Sequence, residues 1–449
     1  MLDRWRGESR EVAVIGLGRS GMAATRLLRA QGIAVYASDA GRDGSLEAGA
    51  AELRGLGASV DLGAHDLVRI GRAVAAVLSP GVPPDAGPVR AAREAGVPVR
   101  AEIDLGLEML AGVPYIGITG TNGKTTVTAL AGHLLRAAGR DGEAAGNIGT
   151  PLCEIALRQR KPTWLAIEFS SFQLHDSPLV DPRVGILTNL SADHLDRYPT
   201  LEAYYADKGL LFANASPDSV WVTNADNQAS RALAGGVAGR HLRFTLAGHG
   251  DGWFDRPRGQ LMLGGRPLIP RSGVRLLGDH NVANALAAAL ALDATGAALP
   301  AIAAGLGSFR ALPHRLEPIR EVGGVLWIND SKATNVASTE VAVAALDRPF
   351  VLLLGGRHKG EPYTRLAPLL KGRCRAVVAY GEAGPTVLQD LAADLPVLPA
   401  GSFEEVLVTA ERLSQPGDAV LLSPACSSYD MFTNYEERGA RFREWLEAR

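Results

Sequence analysis

The chain has 449 residues, which at roughly 150 residues per domain points to about three domains. Lys plus Arg (46) nearly balance Asp plus Glu (48), so no net field draws the chain to nucleic acid or to an anionic membrane surface. With 47% hydrophobic and 21% charged residues it is neither disordered nor a coiled coil, and its longest apolar run, 285–292, is too short to span a bilayer.

Short β-branched runs alternate with Ala/Leu-rich helical stretches, the pattern of an α/β protein. The start, MLDRWRGESRE, lacks an apolar signal core, and the three cysteines form no CxxC pair; both fit a cytoplasmic protein, with a monomer as the default. Strands are predicted at 12–15 and 33–38 with a helix at 22–30 between them, then a strand at 74–78 closed by Ser79-Pro80-Gly81. A helix at 102–110 leads to a strand at 115–119, and further strands are expected at 164–169, 184–187 and 220–223, with a helix at 201–212. The Gly-rich stretch 247–265 reads as loops or hairpins, and 281–292 as a helix of small residues. A third alternation has strands at 325–328, 350–354, 376–380 and 419–422 and ends in a charged helix at 435–448. Domain boundaries fall near 100 and 311, giving segments 1–100, 101–311 and 312–449.

Two glycine-rich loops follow predicted strands. Gly16-Leu17-Gly18-Arg19-Ser20-Gly21 is a GxGxxG whose helix N-terminus offers free amides to a pyrophosphate, and Asp39 ends the next strand where a ribose-binding acid belongs. Alone it suggests a nicotinamide or flavin enzyme. The second, Thr119-Gly120-Thr121-Asn122-Gly123-Lys124-Thr125-Thr126, supplies loop amides, a lysine for the outer phosphates and a hydroxyl for Mg²⁺, and so predicts an ATP site. It departs from the strict Walker pattern, because Ile118 stands where the first glycine belongs. Two phosphate loops in one chain mean that the first serves a different phosphorylated molecule.

Glu168 at a strand tip is placed to reach that Mg²⁺ directly or through water. Asn189 to Tyr198, with Asp193, His194 and Asp196, clusters polar groups after the next strand. In the third segment Asn329 to Asn335, Gly355 to Gly360 and Ser423 to Asp430 follow three strands, so they share one rim of a parallel sheet and suit a substrate bearing carboxylates. Lysine sharpens this. Only six of the 46 basic residues are lysines, and four of them, Lys124, Lys208, Lys332 and Lys359, fall in or beside these motifs, where arginine could not supply a compact or neutral amine.

TGTNGKTT, EFSSFQL, NLSADHLDRYP, GDHNVANALAA, PHRLE, NDSKATN, GGRHKG and SPACSSYDMF stand in the order of the Mur ligase family, which the chain resembles along its whole length, most of all in its D-glutamate-adding branch. The resemblance implies three domains: Rossmann-like, P-loop ATPase-type and Rossmann-like. They would bind a UDP-sugar, ATP and an amino acid, with UDP-N-acetylmuramoyl-L-alanine and D-glutamate joined through an acyl phosphate during peptidoglycan precursor synthesis. It implies two Mg²⁺ sites, one at Thr125 and Glu168, one at His194 and an N-carbamylated Lys208. By the same likeness Gly18, Arg19, Ser20, Asp39, Gly81, Asn147 and Ser170 hold the UDP-sugar. Gly120 to Thr126 with Asn281, Asn284, Arg315 and Asp330 hold ATP, and Lys332 lies at its phosphates or the acyl phosphate. Thr334, Lys359, Ser428 and Tyr435 grip the glutamate. Ala40-Gly41 depart from the hydroxyl and basic residue the family often places after Asp39, a gap that Arg42 or Arg19 could fill, and Tyr435 replaces a common phenylalanine. Folylpolyglutamate synthase shares the ATP loop, but would begin near it. An NAD-dependent dehydrogenase accounts only for the first loop, and a P-loop regulatory module leaves the third cluster unused.

Overall fold

The central strands of the three sheets are short and buried on both faces, which is why they read as continuous apolar runs. In Val12–Ile15 (β1), Val12 and Val14 enter one core while Ala13 and Ile15 enter the core on the other face. The computed structural model describes residues 1–193 and 197–449, so the expected metal ligand His194 lies outside the described residues. The chain divides into two compact units, Met1–Val274 with Ala283–Ser308, and Arg275–Val282 with Phe309–Arg449.

The first unit holds two sheets. With Val35–Asp39 (β2), Ser59–Leu62 (β3), Ala75–Leu78 (β4) and Val99–Ala101 (β5), β1 forms an all-parallel sheet of order β3-β2-β1-β4-β5. Its direction of winding reverses between β1 and β4, whose carboxyl ends carry Gly16 and Ser79; such switch points form ligand crevices. The second sheet takes Tyr115–Thr119 (β6), Gly142–Gly146 (β7), Trp164–Glu168 (β8), Val184–Leu187 (β9), Val220–Asn224 (β10), Arg240–Thr245 (β11), Gly252–Asp255 (β12), Gln260–Leu263 (β13) and Arg266–Pro270 (β14). Their order is β14-β13-β12-β11-β10-β9-β6-β8-β7, so the loop after β6 is flanked by the ends of β9 and β8. A single hydrophobic core runs from Leu27 and Val77 in the first sheet's layer to Leu165 and Trp221 in the second's.

In the second unit Glu317–Val322 (β15) pairs antiparallel with Val325–Asn329 (β16). Phe350–Gly355 (β17), Cys374–Tyr380 (β18), Val397–Ala400 (β19) and Ala419–Leu422 (β20) complete a sheet of order β15-β16-β20-β17-β18-β19. Leu352 and Leu354 pack on one face, Val351 and Leu353 on the other. Trimming any of these leucines to alanine would cost about 2–5 kcal/mol.

The chain is thus the α/β protein of three sheets that the sequence predicts, with local differences of physical origin. The first helix after the glycine loop begins at Arg19, not at 22, with Gly18 as its N-cap. Gly21 lies inside it because a Cβ there would collide with the carbonyl of Gly16. The 201–212 segment is α-helical over Leu201–Gly209 and tightens to a 3₁₀ turn at Leu210–Phe212. Within 247–265 the structure places the β12–β13 hairpin. Strand β7, Gly-Glu-Ala-Ala-Gly, carries no β-forming composition and exists through its pairing with β8.

Candidate active site

Two lysine amines meet on one carbonyl. Lys124 folds back over its own loop and donates to the carbonyls of Gly120 (2.9 Å) and Thr121 (2.7 Å). Lys208, on the helix Leu201–Gly209 and only 1% exposed, donates to the same Gly120 carbonyl at 2.8 Å. Burial pushes the Lys208 amine well below the ordinary lysine range, and the neighbouring Lys124 pushes it the same way, against Asp193, Glu168 and Asp207. Such an amine holds its proton weakly and is correspondingly nucleophilic.

The loop around these amines is rigidly closed. Gly123, the N-cap of helix Lys124–Ala137, has φ of 82°, and a Cβ there would collide with Asn284 Oδ1, so Asn284 lies directly against the loop. Thr188 Oγ1 donates to the Asn122 carbonyl (2.6 Å), and the Asn122 amide donates to Asn189 Oδ1 (3.0 Å). Thr121 Oγ1 receives the Ser191 amide (3.1 Å) and the Tyr204 hydroxyl (3.3 Å). Glu168, 2% exposed at the tip of β8, accepts from Asn147 Nδ2 through Oε1 at 2.9 Å; its buried Oε2 has no hydrogen-bond partner among the described residues. A buried, unsatisfied carboxylate oxygen is a costly thing to keep without a ligand to meet it.

A cavity of about 560 Å³ opens at the β1/β4 switch point. Gly18, Arg19, Ser20, Asp39, Gly81 and Asn147 all line it, so six of the seven residues expected around the UDP-sugar share one cavity. Ser170 is not among its lining residues. It caps the short helix Ser171–His175, accepting from the Gln173 amide in a capping box. Asp39 spends both carboxylate oxygens on backbone amides, those of Leu17 (2.6 Å) and Gly41 (2.7 Å), and so fixes the glycine loop. His65, unmarked by any motif, also lines the cavity, its Nδ1 2.9 Å from Ser38 Oγ; burial holds the imidazole below its ordinary range although Asp39 pulls it up.

In the second unit the three polar loops leave the carboxyl ends of β16, β20 and β17, adjacent and parallel. Asp330 is held by the Ser423 hydroxyl (2.8 Å) and the Leu316 amide (3.0 Å), and burial raises its carboxyl to about 7 against those two hydrogen bonds and the lesser pull of Arg315. Lys332 Nζ donates to the Tyr435 hydroxyl at 3.0 Å. Ser428 is buried, Thr334 half-buried and Lys359 exposed. Asn281, 7% exposed, donates to the Leu277 carbonyl (2.8 Å) and stands one turn before Asn284 on helix Asp279–Ala294.

Three family models match in tandem: a Mur ligase MurD-like N-terminal domain at residues 10–101, a Mur ligase middle domain at 118–292 and a Mur ligase glutamate ligase domain at 314–426. The chain belongs to the Mur ligase family. It is 43% identical, over 96% of both chains, to the UDP-N-acetylmuramoylalanine–D-glutamate ligase of Anaeromyxobacter dehalogenans. The enzyme of the same name from Myxococcus xanthus is 39% identical over 98% of both, and that from Rubrobacter xylanophilus 42% identical over 96% of this chain and 97% of its own. The fold is that of the UDP-N-acetylmuramate–alanine ligase of Thermotoga maritima (TM-score 0.61, 19% identity, 98% and 99% of the two chains covered). A MurF of Acinetobacter baumannii also has a TM-score of 0.61, at 18% identity, with 84% and 86% covered. As a Mur ligase the chain uses ATP to form an amide bond, which removes the dehydrogenase and regulatory-module readings.

This Mur ligase also carries a supporting residue that no motif announces. Arg438, in the charged terminal helix Tyr435–Glu447, is fully buried; it donates to Ser331 Oγ (2.9 Å) and to the carbonyls of Ser331 (2.8 Å) and Cys426 (3.2 Å). It therefore ties the loop after β16 to the loop after β20. Its sequence context, Glu-Glu-Arg-Gly-Ala-Arg, reads as a solvated helix face, so only the fold reveals it.

Proposed function

We propose that the chain joins D-glutamate to the alanyl carboxylate of UDP-N-acetylmuramoyl-L-alanine, releasing ADP and phosphate, in the cytoplasmic synthesis of peptidoglycan precursors. The observation that carries this reading is the pair of lysine amines on the Gly120 carbonyl beside Glu168. The chemistry brings anion to anion, since a carboxylate must attack the γ-phosphoryl group of ATP, and it needs a site that concentrates positive charge. Lys124 leaves its own loop carbonyls to meet the phosphates, and the amides of Gly120 to Thr126 cradle them. Asn281, Asn284, Arg315 and Asp330 bind the nucleotide, and Lys332 steadies the phosphoryl oxygens of the acyl phosphate. The cavity lined by Gly18, Arg19, Ser20, Asp39, Gly81 and Asn147 holds the UDP-sugar, with Ser170 nearby in sequence to Glu168. Thr334, Lys359, Ser428 and Tyr435 hold the carboxylates of glutamate, whose amine attacks the acyl carbon and expels phosphate.

The residues fit divalent metal. Glu168 Oε2 is buried without a partner among the described residues, and Thr125 supplies a hydroxyl at the head of the loop helix. Lys208, desolvated and pressed by Lys124, is primed to take up CO₂: the carbamate replaces a second cation by an anionic oxygen ligand. Thr125 and Glu168 would hold one Mg²⁺, His194 and carbamylated Lys208 another; when bound, the ions supply charge neutralisation to the phosphoryl oxygens. The test is phosphate release from ATP with UDP-N-acetylmuramoyl-L-alanine, with and without D-glutamate. Release should require both co-substrates, and release indifferent to both would sink the proposal.

A further inference from the structure

A second cavity lies at the opposite ends of the first sheet's strands. It encloses about 380 Å³ and is lined by Arg4, Arg10, Arg72 and Arg100 over a wall that includes Trp5 and Leu179. Its residues at 71–74 lead into β4 and those at 95–98 lead into β5, so it opens at the amino ends of these strands, while Ser79, after the carboxyl end of β4, lines the 560 Å³ cavity. A four-residue strand separates the two rims by about 13 Å.

The charge here is unbalanced. Asp104 is the one acid among the described lining residues: its Oδ1 accepts from the Leu179 amide (3.0 Å), its Oδ2 lies 3.5 Å from Arg100 Nε without a hydrogen bond, and burial raises the carboxyl to about 6. Arg10 reaches Glu8 at 3.2 Å. Arg4 and Arg72 have neither an ion pair nor a side-chain hydrogen bond among the described residues, although many arginines of this chain find a carboxylate. Arg4 and Arg72, exposed at the rim of the hollow, carry charge that no carboxylate balances among the described residues, and their planar forks match phosphoryl oxygens two at a time. The wall supplies the other half of a recognition surface: Trp5, Val74, Val97 and Leu179 are apolar and line the same hollow.

We propose that this cavity is a binding site for a phosphorylated organic anion, with its phosphoryl charge on the guanidiniums and its carbon body against the Trp5–Leu179 wall. The site is separate from both glycine loops. Its occupant would sit across the Asp104–Leu179 hydrogen bond, where the helix Glu102–Met109 meets the segment that follows Ser171–His175, and would tighten that junction.

Calorimetric titration with inorganic phosphate, inorganic pyrophosphate and phenyl phosphate tests this on the full chain. Wild type and a Lys124→Ala variant should share one saturable event at or below about 1 mM. An Arg4→Gln/Arg72→Gln double variant should weaken that event by about tenfold or more while keeping wild-type ligase turnover and unliganded melting temperature. Those side chains have no partners to lose among the described residues, so a folding defect is not expected. Phenyl phosphate should bind more tightly than inorganic phosphate. An unchanged titration in the double variant, or no saturable event in Lys124→Ala, overturns the site. Equal affinity for phenyl phosphate and phosphate overturns the organic body.

Discussion

The two glycine-rich loops, Gly16 to Gly21 after β1 and Gly120 to Lys124 after β6, share a strand–loop–helix form and differ in what holds them. The first is fixed by oxygens that belong to the protein: Asp39 takes the Leu17 amide, and the Ser79 hydroxyl donates to the Gly16 carbonyl at 2.8 Å. No lysine occurs before residue 124, and the first loop carries a single arginine, Arg19. The second loop is held by two lysine amines on one carbonyl, an arrangement that favours the neutral amine at buried Lys208 and leaves Lys124 as the cation that meets an arriving polyphosphate. One loop is a settled cradle, the other a charged site awaiting its counter-charge. A binding loop can be recognised by its glycines, but a reacting loop is recognised by electrostatic strain.

That contrast can be broken. The largest effect is expected for Lys208→Arg, which places a permanent, bulkier cation in a 1% exposed position beside Lys124 and cannot form a carbamate. Turnover should fall by about 10²–10³-fold, and a carbamate signal from ¹³C-bicarbonate, present in wild type, should vanish; near-normal turnover ends the argument. Next come matched glycine substitutions. Gly123→Ala (φ 82°, colliding with Asn284) should raise KM for ATP by about tenfold and leave KM for the UDP-sugar alone. Gly16→Ala (φ 86°, its Cβ 2.6 Å from Val82 Cγ2) should do the reverse, and equal effects on both substrates would erase the division between the loops. Asp39→Asn keeps one acceptor of two; it should cost about 1–3 kcal/mol of stability in denaturant unfolding and raise the UDP-sugar KM with kcat unchanged.

The smallest effect concerns the helix that joins the two loop-bearing layers. Glu102 is fully buried, accepts from the Cys153 amide at 2.8 Å, and is pushed by burial to about 7. The folded chain keeps this proton at pH values where the unfolded chain has lost it. Stability from this group therefore falls as pH rises from about 4.5, the unfolded value, to about 7, and levels above it. Glu102→Gln should raise the melting temperature by a few degrees at pH 8 and hardly at pH 5. The opposite pH order would show that Glu102 is stabilised as an anion.

Much of this arrangement was legible in the residues themselves. Glu168 reads as a metal-reaching acid because it ends an apolar run, and the fold puts it at a strand tip beside the loop of β6. Lysine scarcity singles out Lys208 on a helix where lysine is ordinarily solvated. No local pattern could say that it reaches Gly120, 88 residues earlier, because that contact is made by sheet order. His65 and Arg438 escaped for the same reason: each sits in an unremarkable segment and acquires its partners only when distant strands align. Strand β7 escaped because its composition opposes its conformation and its neighbour decides it.

Asn147 has a consequence for how kinetics on this chain must be interpreted. It lines the hollow at the first sheet and its Nδ2 is bonded to Glu168. An alteration there disturbs the sugar-side contact and the acid's orientation in the same stroke. A single-substrate titration of such a variant would report a mixture of two losses, so only a full grid of both concentrations can apportion the damage.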